Sequence, residues 1–134
     1  MGIFSGRRPN DLGVRNGLLK SVPASPNAVS SQSTGGYHQI APLRYIGTSE
    51  PAMAALKSII ENTPRTSIVE ERADYLYAEF ASKLLGFVDD VEFYFPPNER
   101  VIHVRSASRM GHSDFGVNRK RIDDIRAKFA AAGV

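Results

Sequence analysis

The sequence predicts an α+β domain: an antiparallel meander sheet of about four or five strands with two helices packed on one face, preceded by an irregular N-terminal arm. Three observations predict it. Residues 66–107 hold four β-rich runs broken by turn residues, two amphipathic runs of helical period flank them, and residues 1–36 are rich in Gly, Pro, Ser and Asn. The chain has 134 residues and is 42% hydrophobic, enough for one core and too apolar for a disordered chain. The expected division is an arm over 1–36, packed on the domain, and a single domain over 37–134.

Within the arm, Leu12, Val14, Leu18, Leu19 and Val29 are apolar anchors, so it is expected to lie on the domain rather than trail from it. Residues 38–46 (HQIAPLRYI) predict a short strand, which Pro42 confines to an edge or a bulge. The first helix opens at Ser49 as cap, with Glu50 and Pro51 in a first turn that tolerates a missing N–H. Met53, Leu56, Ile59 and Ile60 then recur at helical spacing, and Asn62-Thr63-Pro64 stops the run.

The strands follow as 66–72, 74–82, 87–95 and 100–107. In the second, Leu76, Ala78 and Phe80 face one way and Tyr75, Tyr77 and Glu79 the other. Pro96-Pro97-Asn98-Glu99 is turn chemistry between the last two, predicting a hairpin. A hairpin centred on Pro97-Asn98 sets Phe93 opposite Ile102 and Val91 opposite Val104 on an apolar face. It sets Glu92 opposite His103 and Asp90 opposite Arg105 on the other. Opposed charges of that kind each contribute about 0.2–1 kcal/mol, which explains these side chains as structure. The last helix is expected from near Asn118 to Gly133, burying Ile122, Ile125, Phe129 and Ala132.

Charge is segregated: residues 1–50, 51–99 and 100–134 sum to +3, −5 and +5. Such asymmetry marks either an interaction surface or two oppositely charged segments lying side by side. With no cysteine, disulfides, thiolate metal sites and cysteine nucleophiles are excluded. No apolar run approaches the ~18 residues of a membrane span. The start MGIFSGRRPND lacks a signal-peptide core, and Gly6 stands where a myristoylation pattern needs Ser or Thr, so the expected address is the cytoplasm.

The candidate site is the stretch between the last strand and the last helix. Arg105, Ser106, Ser108, Arg109, His112, Ser113 and Asp114 lie in it, and Asn118, Arg119, Lys120 and Arg121 open the helix. Three cations in a first turn oppose the helix dipole, a conflict that a bound anion relieves, and a helix N-terminus offers free N–H groups to one. The alternative is that Arg109, Arg119 and Arg121 pair with Asp89, Asp114 or glutamates of the acidic middle. No catalytic residue is assigned: His112-Ser113-Asp114 has triad residue types but not triad geometry, and Ser106 or Ser108 would need His103 or His112 within reach. No metal is expected, because His38, His103, His112, Asp89, Asp90 and Asp114 lack ligand spacing. No cofactor is expected either, for want of a Walker loop or dinucleotide fingerprint. Arg109, Arg119, Lys120 and Arg121 with Tyr37, Tyr45 or Phe115 suit nucleic acid, but the acidic middle argues against a broad footprint.

Blocks of the chain also carry a resemblance. Pro26-Asn27-Ala28-Val29-Ser30-Ser31-Gln32, His38…Ala41-Pro42-Leu43, Gly86-Phe87-Val88-Asp89-Asp90-Val91-Glu92-Phe93, Val104-Arg105-Ser106-Ala107-Ser108-Arg109 and Ser113-Asp114-Phe115-Gly116-Val117-Asn118-Arg119-Lys120-Arg121 stand in order. Over about residues 12–130 the chain resembles the bacterial and plastid family catalogued as domain of unknown function 1499. The family commonly has Cys where this chain has Ala28. The resemblance implies one compact domain and brings no activity with it. It marks Asn27, Ser30, Ser31, Asp89, Asp90, Arg105, Ser106, Ser108, Arg109, Asp114, Asn118 and Arg119 as family-typical polar positions, a site or a buried hydrogen-bond network.

The leading expectation is a non-catalytic binding domain whose partner is a protein or a small anionic ligand. Its surface would be loop 105–114, helix start 118–121 and the segment Ser30, Ser31, Gln32. Asn27, Asp89, Asp90, Glu92 and His103 are assigned to a structural polar network. An accessory subunit docking through the arm is the second expectation, and a hydrolase using Ser108 and His112 the third.

Overall fold

The computed structural model describes residues 6–134; the first five residues of the expected arm, part of the leader reading, lie outside the described residues. In chain order the elements are β1 (Val14–Arg15), β2 (Leu18–Leu19), β3 (Ala28–Ser30), β4 (Leu43–Arg44), α1 (Ser49–Glu61), β5 (Thr66–Arg72), β6 (Tyr75–Ala81), β7 (Val88–Tyr94), β8 (Val101–Ser108) and α2 (Val117–Ala131). The sheet is antiparallel, of six strands in the order β3-β8-β7-β6-β5, with β4 pairing the other end of β8; β1 and β2 form a separate ribbon.

Strand alternation builds two unlike faces. Leu76, Ala78, Phe80, Val91, Phe93, Ile102 and Val104 enter the main core, where α1 adds Ala52, Met53, Leu56 and Ile60 and α2 adds Ile122, Ile125 and Phe129. Both helices therefore cover one face. On the opposite face Tyr75, Tyr77 and Tyr94 pack with Leu12, Val14, Leu19 and Val69 in a smaller cluster, so the N-terminal segment covers it. That segment is more ordered than its composition predicts. Ala28–Ser30 is an edge strand of the main sheet, paired with Arg105, Ser106 and Ala107. Val14–Leu19 is a ribbon turning at Asn16-Gly17, both with positive φ, the geometry of a two-residue primed turn.

Several sequence expectations need correction. The β7–β8 register lies two residues from the one expected: Glu92 faces Arg105, Phe93 faces Val104, and Asp90 faces Ala107. The faces survive, because a two-residue slip preserves the alternation. The slip follows from the turn. Pro96 and Pro97 have no N–H for a ladder, the paired residues stop at Tyr94 and His103, and β4 takes over the start of β8 through Leu43↔Ile102. The strand expected over 38–46 shrinks to Leu43–Arg44, just after Pro42. The N-cap of the first helix is Thr48, not Ser49, and it makes no side-chain cap bond. In α2 the buried stripe is Asn118, Ile122, Ile125 and Phe129; Ala132 is exposed beyond the helix end.

Candidate functional site

Two polar clusters flank the C-terminal half of β8, one on each face of the sheet. The first sits where α2 meets the sheet. Gly116, in the left-handed region, turns the chain into α2, so Asn118 points inward at a fully buried position. Ser106 Oγ donates to Asn118 Oδ1 at 2.6 Å, and Asn118 Nδ2 donates to Ser108 Oγ, Asp114 Oδ2 and Asn27 O. Asp114 accepts from the backbone of Gly116 and Asn118, satisfying donors at the start of the helix, and from the Tyr37 hydroxyl. Burial pushes the Asp114 carboxyl up, but the bonds from Tyr37 and Asn118 outweigh it and hold it below the ordinary value. Arg121 reaches back over the Phe80 ring to Asp89 at 2.6 Å and donates to Ser106 and Asn118. Arg119 donates to the carbonyls of Tyr37 and Gln39.

The second cluster lies under the N-terminal segment. Arg109 points to the face opposite α2 and bonds Asp90 and Glu79, each at 2.6 Å, with its side chain only 3% exposed. Tyr77 donates to Asp90 and Tyr75 to Glu92, both at 2.5 Å. Burial, then the carboxylate each one bonds, raises both phenol pKa values. Arg8 clasps Glu79 from the arm, and its hydrogen bond leads the causes that lower the Glu79 pKa to about 2. Glu92 is wholly buried: Oε2 accepts from Tyr75 and from the Gly13 backbone, while Oε1 has no hydrogen-bond partner and lies 3.8 Å from Arg105. Burial raises its pKa, and burial likewise lowers that of Arg105. Arg105 spends its donors on the carbonyls of Lys20 and Ser21. A cleft of about 340 Å³ lined by Pro9, Leu12, Lys20, Ser21, Asp90, Arg105 and Arg109 runs between arm and sheet.

The basic end of the chain thus lies against the acidic middle. Arg105, Arg109 and Arg121 face Glu92, Asp90 and Asp89, so much of the segregated charge cancels across β7 and β8. Of the remaining expected site residues, His112, Ser113 and Lys120 are exposed, Lys120 pairing with Asp124. Ser31 and Gln32 are not brought to the loop: Ser31 bonds His103 Nδ1 at 3.0 Å and the Val104 N–H, and Gln32 ties the Leu19 N–H to the Gly17 carbonyl. Ser30 accepts from the Gln32 N–H. Neither Ser106 nor Ser108 meets a histidine, and Tyr45 is buried rather than free to stack. Among the described residues no three His, Cys, Asp or Glu side chains are grouped to hold a metal, and no helix is long and apolar enough to cross a membrane.

Sequence reasoning missed Glu79 as the partner of Arg8 and Arg109, and Tyr75 and Tyr77 as donors to Glu92 and Asp90. Their signal was the polar alternation of β6, which placed them on one face without naming what covers it.

A family model described as "protein of unknown function (DUF1499)" matches residues 18–129. The chain belongs to this family. No curated protein matches it. Both clusters draw their sheet residues from the DUF1499 span, whereas Arg8 and Gly13, which close over the second, precede it.

Proposed function

We propose that this DUF1499 member is a non-catalytic docking domain, recognising its partner through loop 109–117 and the start of α2. The observation that carries this reading is Phe115. Its side chain is 93% exposed on a backbone with φ of 52°, a conformation that costs a bulky residue about 1–2 kcal/mol. An exposed phenylalanine in strained backbone gives nothing to the fold, and contact with a partner is the gain that offsets it. Met110 and Val117 beside it are exposed, as are His112, Ser113 and Lys120. In this reading Arg105, Arg109 and Arg121 are positioning residues, and Arg119 and Lys120 supply the charge that selects an acidic partner. The arm's bonds to Glu92, Glu79 and Arg105 favour the loop over the arm as the recognition surface.

Phe115→Asn tests the proposal, because asparagine accepts left-handed backbone and lacks the ring. The variant should melt a few degrees above the wild type, by about 1 kcal/mol, and fail to retain the partner that the full chain holds by native mass spectrometry from its own source. Retention equal to wild type would refute the loop. Trimming residues 1–20 should lower stability sharply; a trimmed chain that stays stable and loses its partner would move recognition to the arm.

A further inference from the structure

Phe115 is one of a group. The β6–β7 turn, 82–87, leaves the sheet at the same end as loop 109–117, since Ala81 pairs Val88 and the Arg109 N–H bonds the Val88 carbonyl. That turn carries Leu84, 90% exposed, and Leu85, 53% exposed. Four apolar side chains besides Phe115 are therefore exposed at one end of the molecule: Leu84, Leu85, Met110 and Val117. Exposed cations accompany them. Lys83 adjoins Leu84, and Arg65 stands beside Ala81, whose N–H its carbonyl accepts. Asp89 and Asp114, the carboxylates of the two strand ends and the loop, are committed to Arg121 and to Asn118 and Tyr37.

Resting on the docking reading above, we propose that this end of the domain binds a negatively charged lipid surface, Leu84 and Phe115 entering the acyl boundary while Lys83 and Arg65 meet the headgroups. Exposure of nine-tenths is what selects a bilayer over a protein. A protein partner would have to supply a packed pocket around each protruding side chain, whereas a bilayer encloses such a side chain from every side. The two residues project from separate turns, so a protein would need two pockets and an interface none. Charge complementarity supplies the remainder: an anionic leaflet attracts basic residues near it and does so within a Debye length.

The test is sedimentation of the full chain with vesicles of phosphatidylcholine alone and of phosphatidylcholine mixed with phosphatidylglycerol. The expected result is binding to the anionic vesicles only, weakened when salt shortens the Debye length. Leu84→Ser and Phe115→Asn should each weaken binding roughly tenfold or more, and Lys83→Glu more than fivefold. Leu84 is exposed, so Leu84→Ser should keep the wild-type melting curve, and Phe115→Asn should melt a few degrees above it. Arg15→Glu, on the β1–β2 ribbon near Tyr75 and Tyr94 at the other end of the sheet, should bind as wild type. Three results overturn the proposal: no binding to anionic vesicles, equal binding to neutral ones, or binding indifferent to Leu84 and Phe115. If vesicles fail while Phe115→Asn still loses a protein partner, the docking reading stands with protein as the occupant; if neither changes, both fall.

Discussion

Arg109 carries its charge inward, with Asp90 and Glu79 both at 2.6 Å and its side chain almost wholly covered. Truncating one member of such a group leaves the others buried and uncompensated. Arg109→Met should therefore cost about 3–5 kcal/mol, read from the urea midpoint with an unchanged slope. A loss below about 1 kcal/mol would mean that water reaches the two carboxylates and that the guanidinium is dispensable. The opposite expectation at Phe115, a gain in stability on replacement, follows from the same accounting: one residue is committed to the fold and the other is strained against it. In the sequence the two are six residues apart in one loop and look equally available. What separates them is direction, since Arg109 continues the alternation of β8 onto the arm-covered face while Phe115 stands beyond it on a left-handed turn.

At the scale of elements, α2 is docked by its first turn as much as by its apolar stripe. Asn118 heads the stripe of Ile122, Ile125 and Phe129 and is buried without exposure. Its amide bonds Ser106, Ser108, Asp114 and the Asn27 carbonyl, joining helix, strand, loop and β3 at one point. Asn118→Leu fits the volume but strands those partners, so it should lower stability by about 2 kcal/mol, and Asn118→Asp should cost more, because it keeps the acceptor for Ser106 and Arg121 but sets a second buried carboxylate against Asp114. Thermal melts of the two variants check the order. Sequence reading located α2 and strands β5 to β8 because seven or more residues show a period. It did not resolve β1, β2 and β3 and drew β4 too long, each of them only two or three residues, where tertiary pairing rather than pattern decides. One local signal was there to use: Asn16-Gly17 between Val14 and Leu18-Leu19 is strong hairpin chemistry. The register slip has a similar cause, because Pro-Pro announces a turn but not its length.

Across the whole molecule, two glutamates on the arm-covered face give stability opposite dependences on pH. Glu79, held near 2 against an ordinary 4.5, favours the folded state above about pH 4.5, and that contribution is lost as pH falls toward 2. Glu92 is raised instead, so its protonated form suits the fold; its contribution is present below 4.5 and is lost as pH rises through the raised value. Glu79→Gln should flatten the acid limb of a stability–pH profile, and Glu92→Gln the decline on its upper side, both measured as urea midpoints. Identical profiles for the two variants would show that the carboxylates titrate as one group. A different consequence follows from β3, whose ladder is formed with β8 although some seventy-five residues of chain separate them. During synthesis at about 5–20 residues per second, Ala28–Ser30 waits roughly 4–15 s for its partner to be made. The meander can close from neighbouring contacts as each strand appears, but β8 keeps one edge bare until the oldest part of the chain returns to it. Assembly of the sheet is then completed by the beginning of the chain, and a molecule in which residues 28–30 fail to return exposes the β8 edge to pairing with a neighbouring molecule.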